Sequence, residues 1–271
     1  MRSITGISLS DVTAAYGGPQ GHLFILLMGQ LLHVGGMHSS IDLAERAGIS
    51  AGQRGIDLCC GNGGGMRVLL RFRNVASMTG VDATERSIER GRARCHEEGF
   101  ADRSRFVLAN AVETGLPRGD ADFVWGEDAW CYVEDKPRLI SEAARLVRPG
   151  GVIAFTDWVE GPEPLTDSEA DRCLRIMSFS NIEDIDGYRN LLERNHYKVV
   201  EAEDTGRLAG FFDLALKILE GQLAYDALAT VGFRTEALQI ILEQLRFLFG
   251  LANASKIIQA RFIAHATNKD E

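Results

Sequence analysis

The segment Ile56-Asp57-Leu58-Cys59-Cys60-Gly61-Asn62-Gly63-Gly64 constrains this chain more than any other: a short apolar strand runs directly into a glycine-rich turn and then a helix. Glycines let bare backbone approach a ligand closely, and a helix starting there aims its free N–H groups at it. The rest of the central chain keeps one rhythm. Apolar runs at Gly55–Leu58, Met78–Val81, Arg105–Ala109, Ala121–Trp125 and Val152–Thr156 alternate with amphipathic stretches, including Glu85–Glu98 and Lys136–Val147. This alternation is the pattern of a parallel sheet covered by helices on both faces.

The rhythm changes at both ends. Residues 1–50 read as a helical cap, broken by Gly17, Gly18 and Pro19 before an apolar run from His22 to Val34, and by Gly35 and Gly36 after it. Thr166 followed by Glu169 is a capping-box signature, Ile185–Arg194 reads as a helix, and Tyr197–Ala202 as a strand. Leu208, Phe211, Phe212, Ala215 and Leu219 repeat at helical spacing, as do Leu238, Ile241, Leu242, Leu245 and Leu248. With Lys256–Ala266 as a closing strand, two amphipathic helices become an insertion before the last of seven strands. The division is a cap at 1–50, a core at 51–206, a helical lid at 207–252 and a closing strand within 253–271.

The turn suggests a nucleotide-like cofactor. Asp82 closes the next strand about 20 residues on, where a carboxylate can accept both hydroxyls of a ribose, with Ala83 beside it. One strand later, Asn110 and Ala111 could read an adenine edge through an amide and a backbone N–H. A phosphate-binding loop is disfavoured, because Met66 and Arg67 stand where Lys-Ser/Thr would be needed; a dinucleotide site stays open, without its G-x-G-x-x-G spacing.

These residues resemble the Rossmann-like class I S-adenosylmethionine-dependent methyltransferases, whose first motif runs acid-x-Gly-x-Gly-x-Gly and whose last core strand follows a Leu-x-Pro-Gly-Gly turn, here Leu146–Gly151. The resemblance is clear over about residues 50–160. It implies a mostly parallel sheet with an antiparallel last strand, and S-adenosylmethionine as methyl donor with S-adenosylhomocysteine as product. It also implies a site drawn from Asp57, Cys59, Gly61, Gly63, Asp82, Ala83, Asn110, Ala111 and Glu127. Cys59 replaces the usual first glycine, and Asn110 an aspartate that commonly faces the adenine amine. Cys59 fits if its backbone angles are ordinary, and Asn110 retains an acceptor oxygen.

Ligands of such sheets sit beyond the carboxyl ends of the strands, so Gly126-Glu127-Asp128-Ala129-Trp130-Cys131-Tyr132 should border the reacting atoms. From Trp125 to Asp157, the wording is similar to the sarcosine/dimethylglycine methyltransferase branch, as are Tyr16 and His33-Val34-Gly35 in the cap. That resemblance implies an amine nitrogen acceptor of the glycine, sarcosine or dimethylglycine kind. An oxygen, carbon or sulfur acceptor is the alternative enzyme, and a non-catalytic cofactor-binding protein the alternative class. Related enzymes often carry a histidine base at the position of Tyr132. Here Tyr132, Glu127 and His33 are the candidates for catalysis, although a histidine such as His33 on an apolar helix is more often structural than catalytic. Tyr16, Trp130, Tyr132 and Trp158 are the candidate acceptor contacts; the rings could face a cationic product or simply pack the core.

Composition excludes other classes. The 29 Lys and Arg against 38 Asp and Glu give a net charge of −9, with neither clustered basic residues nor aromatic interleaving, which disfavours nucleic acid. Five cysteines without a C-x-x-C pair suggest neither a disulfide framework nor a metal site, and a reducing cytoplasm fits. The run from His22 to Val34 is too short and too interrupted to span a bilayer and lacks a leader's flanks, so no membrane association is expected. The amphipathic late helices leave a homodimer open.

Overall fold

The computed structural model describes residues 1–17 and 25–267. Gly18, Pro19, the first part of the apolar run and the side chain of Tyr16 lie outside the described residues. The strands are β1 (Arg2–Ser3), β2 (Arg54–Leu58), β3 (Ser77–Asp82), β4 (Ser104–Leu108), β5 (Ala121–Glu127), β6 (Val147–Glu160), β7 (Asn181–Ile182), β8 (Tyr197–Asp204) and β9 (Ile257–Ala266). Seven form one sheet in the order β4-β3-β2-β5-β6-β9-β8. The neighbours from β4 to β6 are parallel, and β9 runs antiparallel between β6 and β8. This is the α/β sheet with a reversed last strand expected of the Rossmann-like class.

Both faces are buried, as a parallel sheet requires, and period-two alternation decides which side chain goes where. On β5, Phe123 and Trp125 enter a core with Leu43, Met66, Leu70 and Ile88, whereas Val124 enters the opposite core with Leu139, Ile140 and Leu192. The first core is covered by the helices Gly36–Arg46 and Glu85–Glu97, the second by Lys136–Leu146 and Ile185–Arg194. The helix Asp167–Met177 begins on the capping box read from sequence: Thr166 Oγ1 accepts from Glu169 N at 3.3 Å and Glu169 Oε2 from Thr166 N at 2.8 Å.

Three features differ from the sequence reading. β6 starts at Val147, running through Pro149-Gly150-Gly151, because a register shift between the pairs Ala121–Val147 and Phe123–Val152 absorbs the kink that Gly150 makes at φ 77°. The insertion contains a short third helix, Ala224–Thr230, between Leu208–Glu220 and Thr235–Asn253. A small antiparallel pair, Arg2–Ile182 and Ser3–Asn181, ties the N-terminus to the segment after the helix Asp167–Met177. Two-residue strands carry too little alternation to be read from sequence. Among the described residues, no helix is long and apolar enough to cross a membrane.

Candidate functional site

The strand order reverses about β2, with β3 and β4 on one side and β5 and β6 on the other. At such a switch point the connections after neighbouring strands diverge and leave a crevice at the carboxyl edge. Here that crevice is a cavity of about 330 Å³, walled by the turn after β2, the ends of β3 and β5, the segment 110–112, and residues from both cap segments.

The turn after β2 is wound through left-handed backbone. Cys59 has φ 63°, Gly61 51° and Gly63 72°. The ordinary angles anticipated for Cys59 are therefore not found; it occupies the conformation that the usual glycine would adopt freely, at a cost of about 1 kcal/mol or more. Gly63 does not reach the cavity. A Cβ there would lie 2.8 Å from Phe106 Cζ, so its absence serves packing. Gly65 instead joins Gly61 and Asn62 at the wall. A Cβ on Gly65 would overlap Glu127 Oε2 and sit 2.9 Å from Trp125 Nε1.

Three carboxylates converge on this turn. Asp82, at the end of β3, accepts from Gly61 N and from Thr84 N, both at 2.8 Å, and burial still pushes its carboxyl above the usual range. Burial raises Asp57 well above that range, and the charges of Glu127 and Asp82 push the same way. Glu127, at the end of β5, is raised by burial although His33 and the Trp125 indole oppose it. Trp125 Nε1 donates to Glu127 Oε2 at 3.0 Å; Glu127 Oε1 faces His33 Nε2 at 3.4 Å without a hydrogen-bond partner. His33 Nε2 also meets Ser40 Oγ at 3.2 Å, and its buried Nδ1 is unpartnered. Carboxyls raised by burial and by one another are stabilised as anions by a cation placed among them.

Ala83, Asn110 and Ala111 continue the wall. Asn110 Oδ1 already accepts from Val112 N at 3.2 Å, so the oxygen anticipated for an adenine amine is engaged in its own turn.

Beyond β5, Asp128 is structural. Its carboxylate accepts from Val34 N at 2.8 Å and from Gln259 Nε2 at 2.7 Å, fastening the cap to β9. The next residues form a short 3-10 turn, Trp130–Tyr132. Tyr132 lines the cavity and meets Phe179 edge-on at 4.8 Å. The two tryptophans offered as acceptor contacts belong elsewhere. Trp130 is fully buried, stacked on Phe155 at 4.0 Å with Nε1 donating to Leu58 O at 3.2 Å. Trp158 packs edge-on against Phe179 and Phe212 in the core beneath the late helices. Strand alternation and the turn's hand send those rings inward, which adjacency in sequence does not reveal. Apolar side chains add to the wall, with Ile7, Leu9 and Val12 from the N-terminal segment, Leu31 and Leu32 before the helix Gly36–Arg46, and Val133, alongside the charged Glu134, Asp135 and Arg138.

Sequence reasoning missed Gly65, whose signal was the unbroken run Gly63-Gly64-Gly65, and, His33 apart, missed the cap residues on the wall such as Ile7, Leu9, Val12, Leu31 and Leu32, which carry no motif. Among the described residues, no group of three His, Cys, Asp or Glu could hold a metal ion.

Similarity to known proteins matches this geometry. Residues 56–155 match the family described as a methyltransferase domain. The chain is 29% identical over 167 residues to the 27-O-demethylrifamycin SV methyltransferase of Amycolatopsis mediterranei (strain S699), a match spanning 61% of each protein and thus less than two thirds of that relative. Among solved structures, it aligns at TM-score 0.84 with phosphoethanolamine N-methyltransferase 2 of Haemonchus contortus, 19% identical, over 98% of this chain and 61% of that one. It aligns at 0.76 with a Galdieria sulphuraria protein described as a sarcosine dimethylglycine methyltransferase, 19% identical, over 85% of this chain and 86% of that one. At that identity the two structures speak to fold.

Proposed function

We propose that the chain is a class I S-adenosylmethionine-dependent methyltransferase, as its methyltransferase-domain match over residues 56–155 supports, and that it binds S-adenosylmethionine at the glycine turn and delivers the methyl group to a small molecule held near Tyr132. The observation that carries the reading is the pairing of bare turn backbone with the Asp82 carboxylate, 2.8 Å from Gly61 N, on the wall of the cavity. Asp82 would accept the ribose hydroxyls, with Ala83, Asn110 and Ala111 along the adenine side. Gly61 and Gly65 leave room for the methionine end. Glu127, with an unpartnered buried oxygen, and His33, with an unpartnered buried nitrogen, would meet its ammonium and carboxylate groups. A sulfonium cation also suits a pocket whose carboxyls are raised by burial and, at Asp57, also by the neighbouring charges.

Bound S-adenosylmethionine would supply an electrophilic methyl carbon open to in-line attack by an acceptor lone pair, the carbon–sulfur bond breaking to leave S-adenosylhomocysteine. The chain's part is to hold the acceptor behind that carbon in a site dry enough to strip its hydration. Tyr132 orients the acceptor through its hydroxyl, and the apolar wall from Ile7 to Val12 and at Leu31, Leu32 and Val133 excludes water.

For the acceptor, the sequence resemblance favours an amine nitrogen over oxygen, carbon or sulfur. The wall favours acceptors without negative charge. Carboxylates of Asp57, Asp82, Glu127, Asp128, Glu134 and Asp135 line it, against the imidazole of His33 and an Arg138 guanidinium that Glu113 engages at 3.3 Å. A free glycine carboxylate would find little to balance it, whereas a neutral or cationic molecule with an apolar body is accommodated. Incubation with methyl-labelled S-adenosylmethionine and a panel of amines, phenols, thiols and glycine tests the reading. Transfer to at least one neutral or cationic member is expected, with Tyr132→Phe altering turnover and sparing cofactor binding. Absence of any calorimetric heat with S-adenosylmethionine or S-adenosylhomocysteine, in folded protein, would overturn it.

A further inference from the structure

A lysine that is fully buried at the first residue of a helix is badly placed twice over. The helix N-terminus is the positive end of the dipole, and an ammonium taken from water must recover its hydration from protein groups. Lys136 occupies that position, with no exposed surface, at the start of the helix Lys136–Leu146. Burial pulls its basicity down, and the negative charge of Asp157 works against that.

All three of its N–H bonds are used. Nζ donates to Cys131 O at 3.3 Å, to Val133 O at 2.5 Å and to Asn181 Oδ1 at 2.7 Å. The first two are the carbonyls on either side of Tyr132. The third belongs to β7, next to Ser180, which lines the same cavity, and close to Phe179, which the Tyr132 ring meets edge-on. Asn181 Nδ2 returns a bond to Glu134 O at 2.8 Å. From beneath, Asp157 accepts Cys131 N at 3.0 Å and the Tyr188 hydroxyl at 2.6 Å. β7 in turn pairs with β1, and Ile4 N donates to Ser180 O at 2.9 Å, so the chain leading to the apolar cover at Ile7 and Leu9 is anchored on the same segment.

We propose that Lys136 is a positioning residue for methyl transfer, its buried ammonium locking the Tyr132 turn to the 179–182 segment so that the acceptor wall is formed before the acceptor arrives. The proposal rests on the methyltransferase reading. No other side chain could make the same link. A neutral residue of similar length lacks three donors, and a guanidinium spreads its donors over a plane instead of converging them on one point.

The test compares the full-length chain with K136M and N181A. In K136M, amide hydrogen exchange at 131–133 and 180–182 is expected to accelerate together by at least about tenfold, while amides of β2 and β3 keep their protection. Calorimetric affinity for S-adenosylhomocysteine should stay within about threefold of the parent. With whichever panel acceptor the parent methylates, kcat/KM for the acceptor should fall by at least about tenfold, with KM for S-adenosylmethionine little changed. N181A, which keeps the ammonium and Asp157, should show the same pattern at smaller amplitude, and it decides the matter where K136M does not fold. Uniform acceleration of exchange across the sheet, or parallel loss of cofactor affinity and turnover, would reduce Lys136 to general stability and overturn the proposal, as would exchange at both segments unchanged. Where the parent methylates nothing in the panel, the functional reading fails while the exchange pattern still decides the lock.

Discussion

Replacing Asp82 with alanine removes a carboxylate that serves two purposes at once, and the structure lets the two losses be separated. Without ligand, it accepts two backbone N–H groups at 2.8 Å, from Gly61 and Thr84. Hydrogen bonds to charged groups are worth about 1.5–3 kcal/mol each. Asp82 is half-buried, so water can reach the freed donors, and part of the gain is offset by the burial that raises its carboxyl. A net loss of about 1–2 kcal/mol is therefore expected, or roughly 2–8 °C in Tm for a chain of this size. With ligand, two further charge-assisted bonds to the ribose disappear, worth about 3 kcal/mol together, or roughly a hundredfold in affinity. Differential scanning calorimetry reads the first loss and titration calorimetry with S-adenosylhomocysteine and 5′-methylthioadenosine reads the second. Both ligands carry the ribose, so both should weaken alike. Were 5′-methylthioadenosine to bind Asp82→Ala as it binds the parent, Asp82 would not hold the sugar. Unchanged Tm would deny its hold on the turn.

Other perturbations draw on the same geometry. Gly65→Ala pushes a methyl group into Glu127 and Trp125; overpacking costs about 1–3 kcal/mol, and affinity for S-adenosylhomocysteine should drop more than that for 5′-methylthioadenosine, as paired titrations would show. Cys59→Gly relieves a left-handed residue at φ 63°, while glycine costs about 0.5–1 kcal/mol in chain entropy; its melting temperature should stay near or slightly above the parent's, whereas Cys59→Val should melt lower. For Glu142, burial raises the carboxyl, but Arg145 and the hydroxyl and N–H of Thr114 outweigh it and hold it at about 2. The folded value lies below the unfolded one of about 4.3, so this stabilisation is complete above that pH and is lost as the pH falls towards 2. Glu142→Gln should therefore lower Tm at pH 7, with the gap to the parent closing in a melting series taken down to about pH 2.5.

The wall of the cavity around the turn after β2 was legible because its signals are local. A strand, a glycine run and an acid at the next strand end are fixed by spacing along the chain, and a parallel sheet brings neighbouring strand ends together at one edge. The capping box at Thr166 and Glu169 is local in the same sense. The wall around Tyr132 was not, since it depends on side-chain direction and on partners far away in sequence. Trp130 and Trp158 look like a cage beside Tyr132 in the sequence, yet they point into two different cores. Asp128 reads as half of a carboxylate pair, yet its partner is Gln259, 131 residues away.

By itself, then, the sequence determined the βαβ order, the glycine-rich turn and the acid that faces it, because periodicity and turn chemistry act over a few residues. Only the tertiary structure decided the hand of Cys59, the place of Gly65 in the wall, the diversion of both tryptophans and the burial of Lys136. A lysine is ordinarily a surface residue. What keeps this one inside is the convergence of two carbonyls, an amide oxygen and a nearby carboxylate from separate segments, a coincidence in space that no spacing along the chain encodes.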